Sequence, residues 1–187
     1  MTLVAALGDS ITAGSPLWDP GAQSGDPTSQ YEYWASLKEP TLEFRNCGVY
    51  GERTDEIAAR LEGCAVGADV LIVQGGINDI AQGRSVDQAV ENLLGMVQAG
   101  KALGLRVAVA ELLPWNNGYP RVDPEIRRLN ELIAGLGGSE RVPVLPFYAT
   151  LEDEERPGRM RERWTDDGDH PSIEGYRRLG ELAFRLP

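Results

Sequence analysis

Five short apolar runs, at residues 3–7, 42–46, 70–74, 107–111 and 142–146, punctuate the chain, and the segments between them carry helical periodicity. Runs of this length alternating with amphipathic segments are the pattern of a parallel sheet with helices on both faces. Between the third and fourth runs, Val86, Val90, Leu93, Leu94 and Val97 share one helical face. Between the fourth and fifth, Asp123 is placed to cap a helix with Pro124 at its first position, and Ile126, Leu129, Ile133 and Leu136 form the stripe. The last segment carries Ile173, Tyr176, Leu179 and Leu182 behind Ser172 as a cap. All three stripes read as core packing.

Two segments break the pattern. Residues 15–30 are rich in Pro, Gly, Asp and Ser, and form a long loop after the first strand; residues 114–121, with Trp115 and Tyr119, follow the fourth. Loops leaving the carboxyl ends of parallel strands border the ligand crevice of such folds, so both segments are expected at its mouth. Tyr31, Tyr33 and Trp34 open the first helix, where core packing competes with a place at the mouth. The charged stretch 152–163 mixes signs and reads as a solvated surface segment. No repeat or low-complexity linker interrupts the 187 residues, and residues 1–187 are expected to form one domain.

Charge narrows the partners. With 18 basic and 29 acidic side chains the formal charge is −11, which repels nucleic acid and disfavours stable attachment to an anionic membrane. A neutral or cationic small molecule is easier to accommodate. The first seven residues have no basic flank and suit a strand better than a signal peptide. The cytoplasm is therefore the expected location, with secretion open if a leader has been removed. Cys47 and Cys64 lie in core-like contexts without a Cys-x-x-Cys spacing or a nearby histidine. They are expected as free, partly buried thiols, because a core of this size needs no staple. No metal site is expected.

The chain contains one histidine, His170. Histidine is the usual general base near neutral pH, so any histidine-assisted catalysis must use it. Asp167, three residues upstream, is placed to turn back and hold the imidazole. A nucleophile belongs where a strand ends and backbone amides converge, and Ser10 in Gly8-Asp9-Ser10 meets that description. By itself the cluster is equally a turn or a phosphate-cradling loop. Two further clusters change the balance: 48–54 after the second run, and Gly75-Gly76-Ile77-Asn78-Asp79 after the third. The Asn78 amide can donate to an oxyanion without bringing charge.

Taken together, these blocks resemble the GDSL/SGNH hydrolase superfamily, serine esterases and lipase-like acylhydrolases named for Ser, Gly, Asn and His in four sequence blocks. Gly8-Asp9-Ser10 resembles the first block, with Ile11 where the family has Leu, and Gly51 resembles the glycine of the second. Gly76-x-Asn78-Asp79 resembles the third block, and Asp167-x-x-His170-Pro171 the last. Gly48 competes with Gly51, and Asp166 and Asp169 with Asp167; family spacing selects Gly51 and Asp167. The resemblance implies an α/β fold: a three-layer α/β/α sandwich, flavodoxin-like, with a five-stranded parallel sheet of order 2-1-3-4-5. It implies hydrolysis of carboxylic esters by a Ser10, His170 and Asp167 triad, with an oxyanion hole from the Ser10 and Gly51 amides and the Asn78 side chain, and no cofactor.

Asp9, Trp18, Trp115 and Tyr119 are expected to contact the substrate, a small or short-chain ester, and the chain is too small for a separate lid. A carbohydrate O-acetylesterase with the same triad is the alternative. A noncatalytic flavodoxin-like module, using residues 8–15 to bind a nucleotide or flavin phosphate, is the rival of another class. A metal-dependent phosphoesterase is disfavoured by the single histidine.

Overall fold

The computed structural model of the chain describes residues 1–14 and 26–187. Most of the 15–30 segment, Trp18 included, lies outside the described residues. The elements run β1 (Thr2–Gly8), α1 (Ser10–Ala13), α2 (Tyr31–Lys38), β2 (Leu42–Gly48), α3 (Thr54–Ala59), α4 (Leu61–Ala65), β3 (Val70–Val73) and α5 (Ile77–Ala81). They continue with α6 (Val86–Ala102), β4 (Arg106–Ala110), α7 (Asp123–Glu140), β5 (Val144–Leu145), α8 (Phe147–Leu151), β6 (Glu152–Asp153), β7 (Arg156–Met160) and α9 (Ile173–Arg178). The main sheet is parallel with strand order β2-β1-β3-β4-β5, the order expected.

The pleat sends alternate strand residues to opposite faces. Val4, Ala6, Val70, Ile72, Ala108 and Ala110 pack with Tyr31 of α2, Phe147 of α8 and Tyr176 of α9. Ala5, Leu7, Leu71, Val73, Val107 and Val109 pack with Ile57 of α3, Leu93 of α6, and Leu129 and Ile133 of α7. Because both faces are covered, the strands show unbroken apolar runs rather than alternation. Among the described residues no helix is long and apolar enough to cross a membrane.

The α6 stripe buries Leu93 and Val97 and half-buries Val86, Val90 and Leu94, with Ala89 and Met96 completing it. In α7 all four expected residues are buried, but Asp123 is its first residue rather than its cap. The Asp123 carboxylate instead accepts from Arg127 Nε (2.8 Å) and the Tyr148 hydroxyl (3.2 Å). Ser172 does cap α9, accepting from Gly175 N at 3.2 Å. The α9 stripe is only half right: Tyr176 and Leu179 are buried, whereas Ile173 and Leu182 are exposed. The helix widens into a π turn over Leu179–Ala183, which rotates Ala183 inward in place of Leu182. The 152–163 stretch is not merely solvated, since β6 and β7 pair as an antiparallel hairpin that buries Asp153 and Met160.

The cysteines also correct the expectation, for Cys47 and Cys64 form a disulfide. The end of β2 and helix α4 bring their Cα atoms to 6.1 Å, a separation a disulfide spans without moving the backbone. A core of this size needs no staple, yet two elements that cross at bonding distance carry one. Closing a loop of this length contributes about 3 kcal/mol through the unfolded chain. The double variant Cys47→Ala, Cys64→Ala is expected to lose about that much in urea unfolding. Reductant should destabilise the parent protein similarly and leave the variant unmoved; equal stability of all forms would contradict this.

Candidate active site

The first element of the site is the turn where β1 becomes α1. Asp9 caps that short helix, its Oδ1 accepting from Ile11 N at 2.9 Å, and Ser10 is the first helical residue. Gln74, at the end of β3, accepts from Asp9 N (3.2 Å) and from Thr12 Oγ1 (2.9 Å). Main chain comes close to main chain here: a β-carbon on Gly48 would lie 2.1 Å from Ala13 N. The second block's other glycine is therefore a packing glycine under α1.

Opposite Ser10 stands the turn before α9. Ser10 Oγ is 3.0 Å from His170 Nε2, and His170 Nδ1 is 2.7 Å from Asp167 Oδ2. A carboxylate facing Nδ1 selects the tautomer with its proton there, leaving the Nε2 lone pair toward the hydroxyl. Asp167 Oδ1 accepts from the backbone amides of His170 (2.7 Å) and Asp169 (2.8 Å). Burial pulls the Asp167 carboxyl upward, but the bonds from the His170 ring and from those amides outweigh it and hold it below the usual carboxylate range.

The turn is clamped from the loop after β4. Asn117 Nδ2 donates to Asp167 O and to Asp169 Oδ1, both at 2.8 Å, and Trp115 Nε1 also donates to Asp169. Asn116 N donates to Gly168 O at 3.0 Å. Thr165 Oγ1 donates to His170 O at 2.7 Å and accepts from Gly168 N at 2.9 Å. Asp167 and Asp169 thus do different work: one holds the imidazole, the other anchors the turn.

Between the two sides lies a cavity of about 170 Å³ whose wall includes Ser10, Gly51, Asn78, Trp115 and His170. Asn78 Nδ2 donates to Glu52 O at 2.8 Å, which fixes the amide and leaves its second N–H for a ligand. The Glu52 carboxylate is gripped by Arg60 at 2.6 Å, and Arg60 also donates to Cys47 O (2.7 Å) and Gly8 O (3.2 Å). Asp79 accepts from Thr54 N and Oγ1 at 2.9 and 2.8 Å. Arg60 and Asp79 so tie the loop carrying Gly51 to the strand ends beside it.

The sequence matches a family profile described as GDSL-like Lipase/Acylhydrolase family over residues 6–178. The chain belongs to this GDSL-like family. Its fold is similar to that of a G-D-S-L family protein from Desulfitobacterium hafniense DCB-2, with TM-score 0.83, 21% identity, and 97% of each chain covered. A lipase/acylhydrolase from Enterococcus faecalis superposes with TM-score 0.79 at 23% identity, covering 97% of this chain and 93% of the other. An acetyl xylan esterase from Geobacillus stearothermophilus gives 0.76 at 16%, covering 96% and 92%. No curated protein matches the sequence.

Within this GDSL-family chain the expected substrate contacts divide. Trp115 lines the cavity. Tyr119 does not: its ring lies under Arg159 at 4.5 Å and against Gly158, on the β7 hairpin. Asp9 is wholly buried and faces α1 rather than the cavity. Sequence reasoning missed Tyr50, whose ring lies 5.9 Å from the His170 imidazole at the cavity wall; its place beside Gly51 was the available signal. Asn116, Asn117 and Arg60 gave no signal, because nothing local announces their distant partners.

Burial pushes the Asp9 carboxyl up to about 6, against the restraint of the Ile11 hydrogen bond. Between about pH 4, where an unfolded aspartate titrates, and about pH 6, the folded chain keeps a proton that the unfolded chain has released. Stability from this group is therefore complete below that window, declines as pH rises through it, and levels off above. The decline is on the order of 2–3 kcal/mol. Urea unfolding at several pH values should show a flatter profile in Asp9→Asn than in the parent, and identical slopes would exclude this origin.

Proposed function

We propose that this protein is a serine esterase that cleaves carboxylic esters of small or short-chain acyl groups through an acyl-enzyme on Ser10. The observation that carries this reading is the unbroken contact from Ser10 Oγ to His170 to Asp167, at 3.0 and 2.7 Å, opening on the cavity that Gly51 and Asn78 share.

In the proposed reaction Ser10 attacks the ester carbonyl while His170 Nε2 takes the hydroxyl proton, and Asp167 stabilises the imidazolium that results. Charge developing on the carbonyl oxygen is met by the Ser10 and Gly51 amides and the free N–H of Asn78, donors that carry no charge of their own. The imidazolium then protonates the departing alcohol. Water enters, is deprotonated by the same imidazole, and releases the acid with regeneration of the serine. The modest cavity volume supports a short acyl group, and the charge of −11 supports a neutral or cationic substrate over a polyanion. The Cys47–Cys64 bond favours an oxidising compartment over the cytoplasm.

A second reading, deacetylation of a carbohydrate, is supported by Tyr50 and Trp115 on the cavity wall, aromatic faces of the kind on which sugar rings stack. The likeness in fold to an acetyl xylan esterase agrees with it. The phosphate-binding rival is disfavoured because the Ile11 amide at the start of α1 already holds the Asp9 carboxylate.

Ser10→Ala is expected to lower kcat by roughly 10⁴-fold or more and to change stability by less than about 1 kcal/mol. A serine-directed phosphonate should add its mass to Ser10. Near-parental turnover in the alanine variant would refute the nucleophile. Turnover on nitrophenyl esters of increasing chain length, beside acetate release from an acetylated xylan oligomer, separates the two substrate readings. Asn78→Ala should cost about 10²- to 10³-fold in kcat with KM nearly constant, and a change confined to KM would remove Asn78 from the oxyanion hole.

A further inference from the structure

The protein is strongly acidic, yet three of its guanidinium groups gather on one indole. The Cζ atoms of Arg178, Arg161 and Arg163 lie 4.0, 5.0 and 5.5 Å from the ring centroid of Trp164, a buried side chain. Arg60, Arg127, Arg156 and Arg177 meet carboxylates at 2.6 to 2.9 Å. The ion pairs around Trp164 are longer. Arg161 is 3.5 Å from Asp153, and Arg163 is 3.5 Å from Glu174. Among the described residues Arg178 has no ion-pair partner; its Nε donates to Thr150 O at 3.3 Å, and its terminal nitrogens are left for another acceptor.

These three arginines wall a polar cavity of about 200 Å³ where the β6–β7 hairpin approaches α9. Two glutamates, Glu152 and Glu154, share its wall. Glu152 Oε1 accepts from Gly158 N (2.8 Å) and Arg127 (3.2 Å), and Glu154 is exposed. Neighbouring Asp153 is engaged by Arg156 at 2.9 Å. Burial first and the like charge of Arg163 after it lower the Arg178 pKa from its ordinary value; the Glu174 carboxylate opposes them, and Arg161 adds a smaller lowering. Planar guanidinium forks that converge while holding their carboxylates no closer than 3.5 Å form a receptor for an oxyanion, whose binding would relieve their mutual repulsion.

We propose that this cavity binds a tetrahedral oxyanion, a phosphate or sulfate group, held by Arg161, Arg163 and Arg178. Among the described residues the cavity shares no wall residue with the Ser10 cavity, so the site is separate from the proposed ester chemistry and does not rest on it. It takes a single small group; a polyanion would meet the acidic remainder of the surface. Its arginines flank the turn bearing Asp167 and His170: Arg161 and Arg163 precede Thr165, which holds the His170 carbonyl, and Arg178 closes the helix that follows.

Isothermal titration with inorganic phosphate at low ionic strength tests the site, using sodium chloride at matched ionic strength as the control for general screening. One saturable event per chain, displaced by sulfate and absent with chloride, is expected. Arg178→Gln and, separately, Arg163→Gln should each weaken it by about tenfold or more, the cost of one charge-assisted contact. Both should retain turnover on a neutral ester. Arg163 is exposed, so its variant keeps the test valid if Arg178→Gln folds poorly. Glycerol phosphate binding more tightly than inorganic phosphate would assign the site to a phosphomonoester, and the reverse order to the free ion. Absence of saturable binding, an equal response to chloride, or unchanged affinity in both folded variants would overturn the proposal.

Discussion

The close seating of helix α1 on the carboxyl edge of the sheet is the constraint from which the site follows. A β-carbon at Gly8 would fall 2.3 Å from Thr12 Oγ1, and one at Gly48 would strike the backbone of Ala13. Two glycines therefore let the chain leave β1 and turn at once, so that Ser10 begins a helix directly above the strand ends. The seat is polar as well as tight. Gln74 takes the Asp9 amide and the Thr12 hydroxyl, and Asn46 Nδ2 donates to Thr12 O while its Oδ1 accepts from Gly48 N. Buried groups of this kind are costly unless paired, so the same bonds that satisfy the turn also fix its direction.

Parallel topology then gathers the rest. In a sheet of this kind every strand delivers its following loop to the same edge, and the strand order brings the loops after β1, β2 and β3 side by side. Ser10 and Asn78 stand in the first turns of the helices that follow β1 and β3, and Gly51 in the loop that follows β2. The histidine turn arrives from much later in the chain and needs its own anchorage, which Trp115, Asn116 and Asn117 provide from the loop after β4. Asn116 also exchanges two side-chain bonds with the Met160 backbone, at 3.0 and 2.7 Å, so the hairpin is drawn into the same support.

What the sequence made legible follows from where its signals are local. Burial on both faces leaves apolar runs, and the period of α7 marks Ile126, Leu129, Ile133 and Leu136 without reference to anything else. The types of Ser10 and His170 and their positions at element ends single them out, and the structure places the two side chains together. Features that depend on distant approach were illegible. The Cys47–Cys64 bond depends on how β2 and α4 cross, and the outward turn of Tyr119 on the hairpin beside it. The exposed Ile173 and Leu182 reflect a helix whose last turn is wider than the period assumed for it.

Asp9 shows how cost and purpose meet beside the nucleophile. Asp79, equally buried in effect, receives two hydrogen bonds from Thr54, whereas Asp9 Oδ2 is buried without a partner among the described residues. A serine or asparagine would cap α1 as well without placing a carboxylate out of water. What the acid adds is a titrating group, for burial, the largest influence, pushes its carboxyl up to about 6 and the bond from the Ile11 amide restrains it only in part. Asp9 therefore ties the seat of α1 to pH at the turn that presents Ser10, and its ionised form is stability forgone there.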